Sequence, residues 1–216
     1  MTARTETDDP ARLRRNVEFA LRNSFALCDV VPMLESLARA SERGSTEWLF
    51  AQQKLAELLV EKDPWRAAVA ARAASAVVPE EDGSHALLGL ALTLLGHYHA
   101  AAKSYRAALA IAPENPWYAH NLGHLLDVAL DQSADAVKLL KAAHEKEPHV
   151  EIAASYAHAL GRVGRIADAK KVLTRALRGD EVNEEHRALL AWLEDGAPAE
   201  RATSPGRRRR KASQST

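Results

Sequence analysis

Residues 82–115 read DGSHALLGLALTLLGHYHAAAKSYRAALAIAPEN. Apolar residues in both halves of this stretch recur at intervals of three and four, which is the spacing of an amphipathic helix. Gly96 divides the halves and Pro113 follows the second, and these two residue types commonly turn or end a helix. The stretch therefore predicts two helices, over residues 84–95 and 98–112, folded back against each other.

The same pattern returns along the chain with a period of about 34 residues. One column of residues has spacings of 34, 34, 35 and 33, and an alanine follows each member three positions later. A domain with one closed core has no reason to keep such a period, whereas stacked helix pairs must keep it, because each pair buries its apolar face only against its neighbours. The two columns contain Leu37, Ala71, Tyr105, Leu140 and Leu173, followed by Ala40, Ala74, Ala108, Ala143 and Ala176.

The residues that begin helices agree with this register. A capping residue precedes a proline three times, at Asp9-Pro10, Asp63-Pro64 and Asn115-Pro116, and this is a common start of a helix. No segment alternates apolar and polar residues as a strand would. Besides the two helices above, we predict helices over residues 10–27, 31–43, 46–61, 64–77, 116–130, 133–146, 150–161, 166–178 and 184–195.

Over residues 82–115 the chain resembles the tetratricopeptide repeat at nearly every position that defines this family. The pattern is carried by Leu88, Gly89, Leu92, Gly96, Tyr98, Ala101, Tyr105, Ala108 and Pro113. The resemblance implies an all-α fold, a right-handed α-solenoid of antiparallel helix pairs. It also implies that Gly89 and Ala101 face each other where the two helices cross. Tyr98, Tyr105 and Ala108 would then fill the gap towards the next pair.

The neighbouring segments match the repeat less completely. Residues 116–149 carry one extra residue near Asp131 and lack the glycine expected in that turn, so we predict a local bulge there. Residues 10–45 keep only Leu37 and Ala40 in register, which predicts a degenerate repeat or an N-terminal helical pair. Further positions that match the family are Gly123, Ala136, Ala143, Pro148, Gly164, Ala169 and Ala176.

These segments give a predicted plan for the whole chain. The last helix is amphipathic, as expected of a helix that solvates the end of a stack, and the residues after it are rich in Pro, Ser, Thr, Ala and Arg, which favours disorder. The plan has a disordered N-terminus (1–9), an N-terminal helical pair (10–45), four repeats (46–81, 82–115, 116–149 and 150–181), a capping helix (182–195) and a disordered basic tail (196–216).

The net charge of zero conceals an uneven distribution. Residues 196–216 contain six basic residues and one acidic residue, so the rest of the chain carries a net charge of −5. Such a tail predicts salt-dependent contact with a polyanion, whether nucleic acid, an acidic protein or anionic lipid. A solubilising segment without a specific ligand is the alternative. The basic run consists of Arg207, Arg208, Arg209, Arg210 and Lys211.

Cysteine content and hydropathy restrict the compartment. Cys28 is the single cysteine, so no intrachain disulfide can form. It stands in an apolar stretch, and we expect a buried structural thiol. The sequence contains no signal-peptide pattern and no run of about 20 apolar residues that would span a bilayer. We therefore predict a cytoplasmic protein.

The family resemblance implies a concave groove lined mainly by the first helix of each pair. Its residues change from apolar in the N-terminal half to aromatic, histidine-rich and charged in the C-terminal half, which suits an extended or helical peptide. Packing against the adjacent pair is the alternative for Leu90 and Leu94, and packing against the Asn115-Pro116 turn is the alternative for Trp117. The predicted groove residues are Leu49, Gln52, Ala56, Ala86, Leu90, Leu94, Trp117, His120, His124, Asp127, Glu151, Ser155, His158 and Arg162.

Three of these residues, His120, His124 and His158, share one strip of the predicted groove. Zinc needs ligands at about 2.0 to 2.1 Å in a near-tetrahedral array, and adjacent helices hold these side chains about one helix diameter apart. We therefore expect histidines that face a partner or solvent, with no metal and no cofactor. The chain also has no phosphate-binding glycine loop, zinc-protease helix motif or serine nucleophile elbow, so we expect no enzymatic activity.

These features favour a non-catalytic scaffold or adaptor that binds a protein or peptide partner. The clamp with which some family members hold the C-terminal carboxylate of heat-shock chaperones is not expected, because its positions hold Gln52, Ala56, Leu87, Trp117 and Asn121. Two alternatives stay open. The arrangement of repeats behind an N-terminal helical region is similar to that of the small tetratricopeptide chaperones of type III secretion. The basic tail is compatible with a nucleic-acid-associated accessory protein.

Overall fold

The computed structural model describes residues 9–178 and 183–198, and within them every regular element is a helix. Each helix packs against the next one in the chain, as a stack of helix pairs requires. The eleven helices of this described part are α1 (Pro10–Arg22), α2 (Leu27–Ala40), α3 (Thr46–Leu59), α4 (Pro64–Val77), α5 (Asp82–Leu94), α6 (Tyr98–Ile111), α7 (Pro116–Val128), α8 (Ser133–Lys146), α9 (Val150–Arg162), α10 (Ile166–Ala176) and α11 (Glu184–Glu194).

The three helices that were predicted to begin at a capped proline do so. The Asp63 carboxylate accepts a hydrogen bond from the backbone N–H of Arg66, and the Asn115 side-chain oxygen accepts one from Trp117. Asp9 caps α1 in the same way. Each side chain satisfies a backbone N–H that has no partner inside its helix.

The N-terminal pair departs from the sequence prediction. α1 ends at Arg22 and α2 begins at Leu27, whereas we predicted helices over 10–27 and 31–43. Pro32 lies inside α2. The buried side chains of α2 flank Pro32 on both sides, so packing against the core keeps the helix continuous through it.

Cys28 contradicts the expectation of a buried thiol, because its side chain is exposed. It is the second residue of α2, whereas the buried stripe of that helix begins at Val30. The apolar character of the local sequence was therefore a poor guide to which face of the helix carries this cysteine.

A small residue of one helix makes room for a large side chain of its partner. A Cβ atom at Gly89 would lie 2.7 Å from the Tyr105 ring, and one at Gly123 would lie 2.7 Å from Leu140. Both approaches are too close for any side chain, so glycine is required there. The residue that closely faces Gly89 is thus Tyr105 rather than Ala101, although Ala101 is also fully buried.

The alanine column lies mostly in the core. Ala74, Ala108 and Ala143 are at most 1% exposed, which allows the helix backbones to approach closely. Tyr98 was expected to fill the gap towards the next pair, but it is 40% exposed, at the start of α6.

The stack curves towards its odd-numbered helices. Each of α1, α3, α5, α7 and α9 contacts the next odd-numbered helix, whereas the even-numbered helices make no comparable contacts with one another in the described chain. The more closely stacked odd-numbered layer forms the inner, concave face. α11 packs on both α9 and α10, so it continues this layer.

The predicted bulge corresponds to the turn between α7 and α8. The turns before α6 and α10 have three residues each and place Gly96 and Gly164 at φ of +76° and +79°. The turn between α7 and α8 has four residues and places Asp131 at φ of +55°. Aspartate tolerates this left-handed conformation better than most residues. The turn therefore absorbs the extra residue, and α8 keeps its place in the stack.

None of the helices in residues 9–178 and 183–198 combines the length and apolar character needed to cross a membrane. The predicted tail residues 207–211 and most of the predicted disordered N-terminus lie outside the described residues.

Candidate functional site

The N-terminal half of the predicted groove leaves apolar side chains accessible. Leu94 is 52% exposed, whereas Leu90 is half-buried and packs against the core. Leu49 and Ala86 are also half-buried, and Ala56 is fully buried. Leu94 is therefore the side chain of this half that is most available to a partner.

Gln52 lies in a different environment from the rest of the predicted groove. It lines a cavity of about 140 Å³ between α2, α3 and α4, together with Trp65. Glu35 lines the same cavity and forms an ion pair with Arg66 at its edge.

Trp117 anchors an aromatic cluster at the middle of the groove. Its ring meets His120 edge-on with centroids 5.7 Å apart, and meets His149 at 5.1 Å. Trp117 is still 36% exposed. The cluster thus holds the indole in place while leaving part of it free for a partner, which is how aromatic anchors contribute to interfaces.

The Ser155 hydroxyl joins two histidines of α7. His120 Nε2 lies 3.1 Å from Ser155 Oγ, and His124 Nδ1 lies 3.3 Å from the same oxygen. A hydroxyl has one proton to donate, so at most one of the two imidazoles accepts from it and at least one donates to its oxygen. This arrangement couples the tautomers of the two rings.

Asp127 is the centre of a network between adjacent repeats. Its carboxylate is 1% exposed and lies 2.5 Å from His158 Nδ1. Arg162 Nη1 donates to the Asp127 backbone carbonyl at 2.6 Å and lies 3.8 Å from its carboxylate. Arg162 Nη2 reaches the Asp131 carboxylate in the four-residue turn at 2.5 Å. One arginine of α9 therefore holds both the end of α7 and the turn that follows it.

Burial and these contacts determine the pKa values of the titratable groups in the C-terminal half of the groove. Burial alone would raise the pKa of the Asp127 carboxyl, but the hydrogen bond from His158, the nearby Ser133 hydroxyl and the charge of Arg162 outweigh it, so that pKa lies below its usual value. Burial lowers the pKa of His120 and of His124, and the neighbouring imidazoles lower both further. Both rings are therefore neutral at pH 7 while Asp127 is ionised.

We expect the free energy of unfolding to fall as the pH is lowered from about 7 to about 5. The folded-state pKa values of His120, His124 and His144 all lie below the unfolded value, with burial as the first cause. Between the two values the unfolded chain binds more protons, so acid favours unfolding. The lowered pKa of Asp127 changes the free energy of unfolding only at pH values near and below its unfolded pKa of about 3.9, which lies outside the range from pH 7 to pH 5.

Urea unfolding at a series of pH values measures this dependence. Replacing His124 with glutamine should flatten the slope, and the same change at the exposed His97 is the control. If the free energy of unfolding depends on pH equally in the wild type and in His124→Gln, then His124 does not contribute to the loss of stability in acid.

A cavity of about 550 Å³ lies at the C-terminal end of the groove, between α7, α9 and α11. The coupled imidazoles form one wall, and α11 closes the opposite side with Glu185, His186 and Leu189. Trp192 of α11 stacks on His158 with centroids 5.1 Å apart. A Cβ atom at Gly161 would lie 2.5 Å from the Trp192 ring, so this glycine allows α11 to dock.

No residue of α11 was predicted to line the groove. The signal was present, because Glu185 and Trp192 lie 34 positions beyond Glu151 and His158. Extending the register by one more period places both on the same strips of the concave layer. His186 lies outside those strips, and only the packing of α11 reveals its place in the cavity wall.

In the described part of the chain, no group of three or more His, Cys, Asp and Glu side chains is arranged to hold a metal ion. Histidines of the groove contact Ser155, Asp127 and aromatic rings.

Comparisons with known proteins agree with this geometry. The family model described as "Tetratricopeptide repeat" matches residues 83–115. No curated protein matches the sequence.

Solved structures show the same fold at low identity. MamA from Desulfovibrio magneticus RS-1, from residue 41 to its end, has a TM-score of 0.71 and 17% identity over 82% of this chain and 96% of that one. A second MamA structure has a TM-score of 0.69 and 14% identity over 78% and 90%. TTC0263, a thermophilic tetratricopeptide-repeat protein of Thermus thermophilus, has a TM-score of 0.61 and 17% identity over 86% and 99%. Residues 83–115 thus form a tetratricopeptide repeat, and the chain has the fold of a tetratricopeptide-repeat solenoid.

Proposed function

We propose that this protein is a non-catalytic scaffold that binds an extended or helical segment of a protein partner along its concave face. The observation that carries the proposal is a set of accessible apolar side chains at the ends of two consecutive first helices, α5 and α7. Leu94, Trp117 and Val128 are 52%, 36% and 56% exposed, and they lead to the cavity closed by α11. Exposed apolar side chains on the concave layer are typical of a binding surface on a repeat protein.

The groove offers two kinds of contact to such a segment. Apolar side chains of the partner can pack against Leu94 and against the exposed part of the Trp117 indole. Farther along, the imidazoles and Ser155 provide hydrogen-bonding groups beside apolar walls. A segment running from one end to the other would meet first the apolar anchors and then the polar cavity, which gives the binding a direction.

Trp117→Ala should weaken binding of a groove ligand at least tenfold, because a half-exposed aromatic anchor supplies much of the energy of such an interface. The probe is a peptide selected from a random display library on the immobilised full chain, with its Kd measured by fluorescence anisotropy. Circular dichroism checks that the variant stays helical.

Trp65→Ala is the matched control. Trp65 also follows a capped proline at a helix start, but it belongs to α4, an even-numbered helix, and is 64% exposed. The groove proposal requires that Trp117→Ala and Leu94→Glu weaken the peptide while Trp65→Ala leaves the Kd unchanged. A peptide lost with Trp65→Ala and retained with the two groove variants would place binding on the other face.

A further inference from the structure

The cavity between α7, α9 and α11 has an excess of negative charge. Glu151 and Glu185 both line it, and neither carboxylate has an ion-pair partner among the described residues. No lysine or arginine is among the described residues of its wall. Arg162, which lies on the same helix as the wall residue His158, is already engaged with Asp127 and Asp131. A cationic group entering the cavity would therefore meet two carboxylates and no competing cation.

His186 provides an independent sign that the cavity receives a ligand. Its side chain is 9% exposed, and its Nδ1 atom has no hydrogen-bond partner among the described residues. The backbone N–H of His186 donates to Asn183, which fixes the residue in the first turn of α11, against the cavity. A buried polar atom without a partner destabilises the structure that holds it. A donor that reached this atom from the cavity would satisfy it.

The wall also suits the shape of a long basic side chain. Val128 and Leu189 supply apolar surface beside the two carboxylates. The methylene stem of an arginine or lysine packs on such surface while its head reaches a carboxylate. An arginine can bind a carboxylate through two parallel N–H donors, which adds direction to the contact.

We propose that the basic run of this same chain, residues 207–211, docks in this cavity. The run contains four arginines and a lysine in succession. A docked tail would occupy the C-terminal end of the groove, where it would compete with an outside partner. This inference rests in that respect on the proposed function of the groove.

The distances allow the tail to reach the cavity within one molecule. Trp192 stacks on His158, a residue of the cavity wall, and its Nε1 donates to the Pro198 carbonyl at 3.1 Å. Pro198 therefore lies one indole ring away from the wall. The nine residues from Pro198 to Arg207 can span up to about 30 Å. α11 itself is only about 16 Å long, so the chain can return along it to Glu185.

The first experiment compares the full chain with a full-length variant in which the five cations are neutralised. Nitrogen-15 NMR of the imidazoles reports the surroundings of His186 and His120 directly. We expect their resonances to differ between the two proteins, and the shift to be independent of protein concentration. The variant carries Arg207→Gln, Arg208→Gln, Arg209→Gln, Arg210→Gln and Lys211→Gln.

The second experiment restores the tail as a separate molecule. A labelled peptide of residues 204–216 is added to the neutralised full-length variant, and its Kd is measured by anisotropy. Glu185→Gln in that background should raise the Kd at least fivefold. Glu184→Gln is the matched control, because Glu184 is the adjacent acidic residue and does not line the cavity; it should change the Kd less than twofold.

Three results would overturn the inference. Imidazole resonances that are identical in the two proteins would show that the tail does not dock. A shift that grows with protein concentration would assign the cavity to the tail of a second copy. Equal effects of Glu185→Gln and Glu184→Gln would show non-specific attraction to an acidic surface. These measurements use no outside partner, so they can fail while the peptide-binding test of the groove succeeds, and the reverse.

Discussion

Replacing Arg162 with methionine should lower the free energy of unfolding by about 3 kcal/mol. Methionine keeps much of the side-chain length and removes the guanidinium, so the change isolates the charge and its hydrogen bonds. Without Arg162, the Asp127 carboxylate stays 1% exposed and loses the cation that offsets its burial. The Asp127 carbonyl and the Asp131 carboxylate lose their donors at the same time. Urea unfolding followed by circular dichroism measures the loss.

Arg165→Met is the matched control for this prediction. Arg165 lies three residues away and forms an ion pair with Asp168, but both side chains are 52% exposed. Exposed pairs contribute about 0–1 kcal/mol, so this variant should lose less than about 1 kcal/mol. Equal losses for Arg162→Met and Arg165→Met would contradict the assignment of Arg162 as the link between adjacent repeats.

Gly89→Ala should destabilise the protein by about 2 kcal/mol, because the new methyl group would overlap the Tyr105 ring. The ring is 2% exposed and cannot move aside without disturbing the core. Its nearest atoms would lie 2.7 to 3.0 Å from the added Cβ. Tyr105→Leu alone should also destabilise, because it removes buried aromatic surface and leaves a cavity.

The double variant tests the contact itself. A later repeat of the same chain places Ala157 and Leu173 at the corresponding positions, and both are fully buried. An alanine and a leucine are therefore compatible in that repeat, and the double variant should be more stable than the sum of the single losses predicts by about 1 kcal/mol or more. Additive losses of stability would mean that the side-chain size tolerated at position 89 does not depend on the residue at position 105.

Most helix boundaries could be predicted because local signals set them. The capped prolines begin α4 and α7 at Pro64 and Pro116, as read from the sequence. Gly96 and Gly164 adopt the left-handed conformation that their turns require. The N-terminal pair was harder, because Pro32 is a local signal that tertiary packing overrides.

The site could be predicted only in part, because its contacts join residues about one repeat apart. The periodicity placed Asp127, His158 and Arg162 on first helices. That the Asp127 carboxylate is buried between the other two depends on side-chain lengths across the α7–α9 contact, which periodicity does not specify. His186 and the cavity depend further on how α11 docks, through the space left at Gly161. A glycine inside a helix pattern was the available signal for that close approach.

The main helix contacts of the described chain join helices one or two places apart in order. Bringing such segments together closes only short loops, so the search for native contacts is brief and folding should be fast for a chain of this size. The same arrangement makes opening local, since a segment at either end can separate without disturbing the far end. Amide hydrogen exchange should accordingly form a gradient, slowest in the middle of the stack and fastest at α1 and α11. The last helix can then swing away from the cavity it closes on a timescale shorter than that of global unfolding.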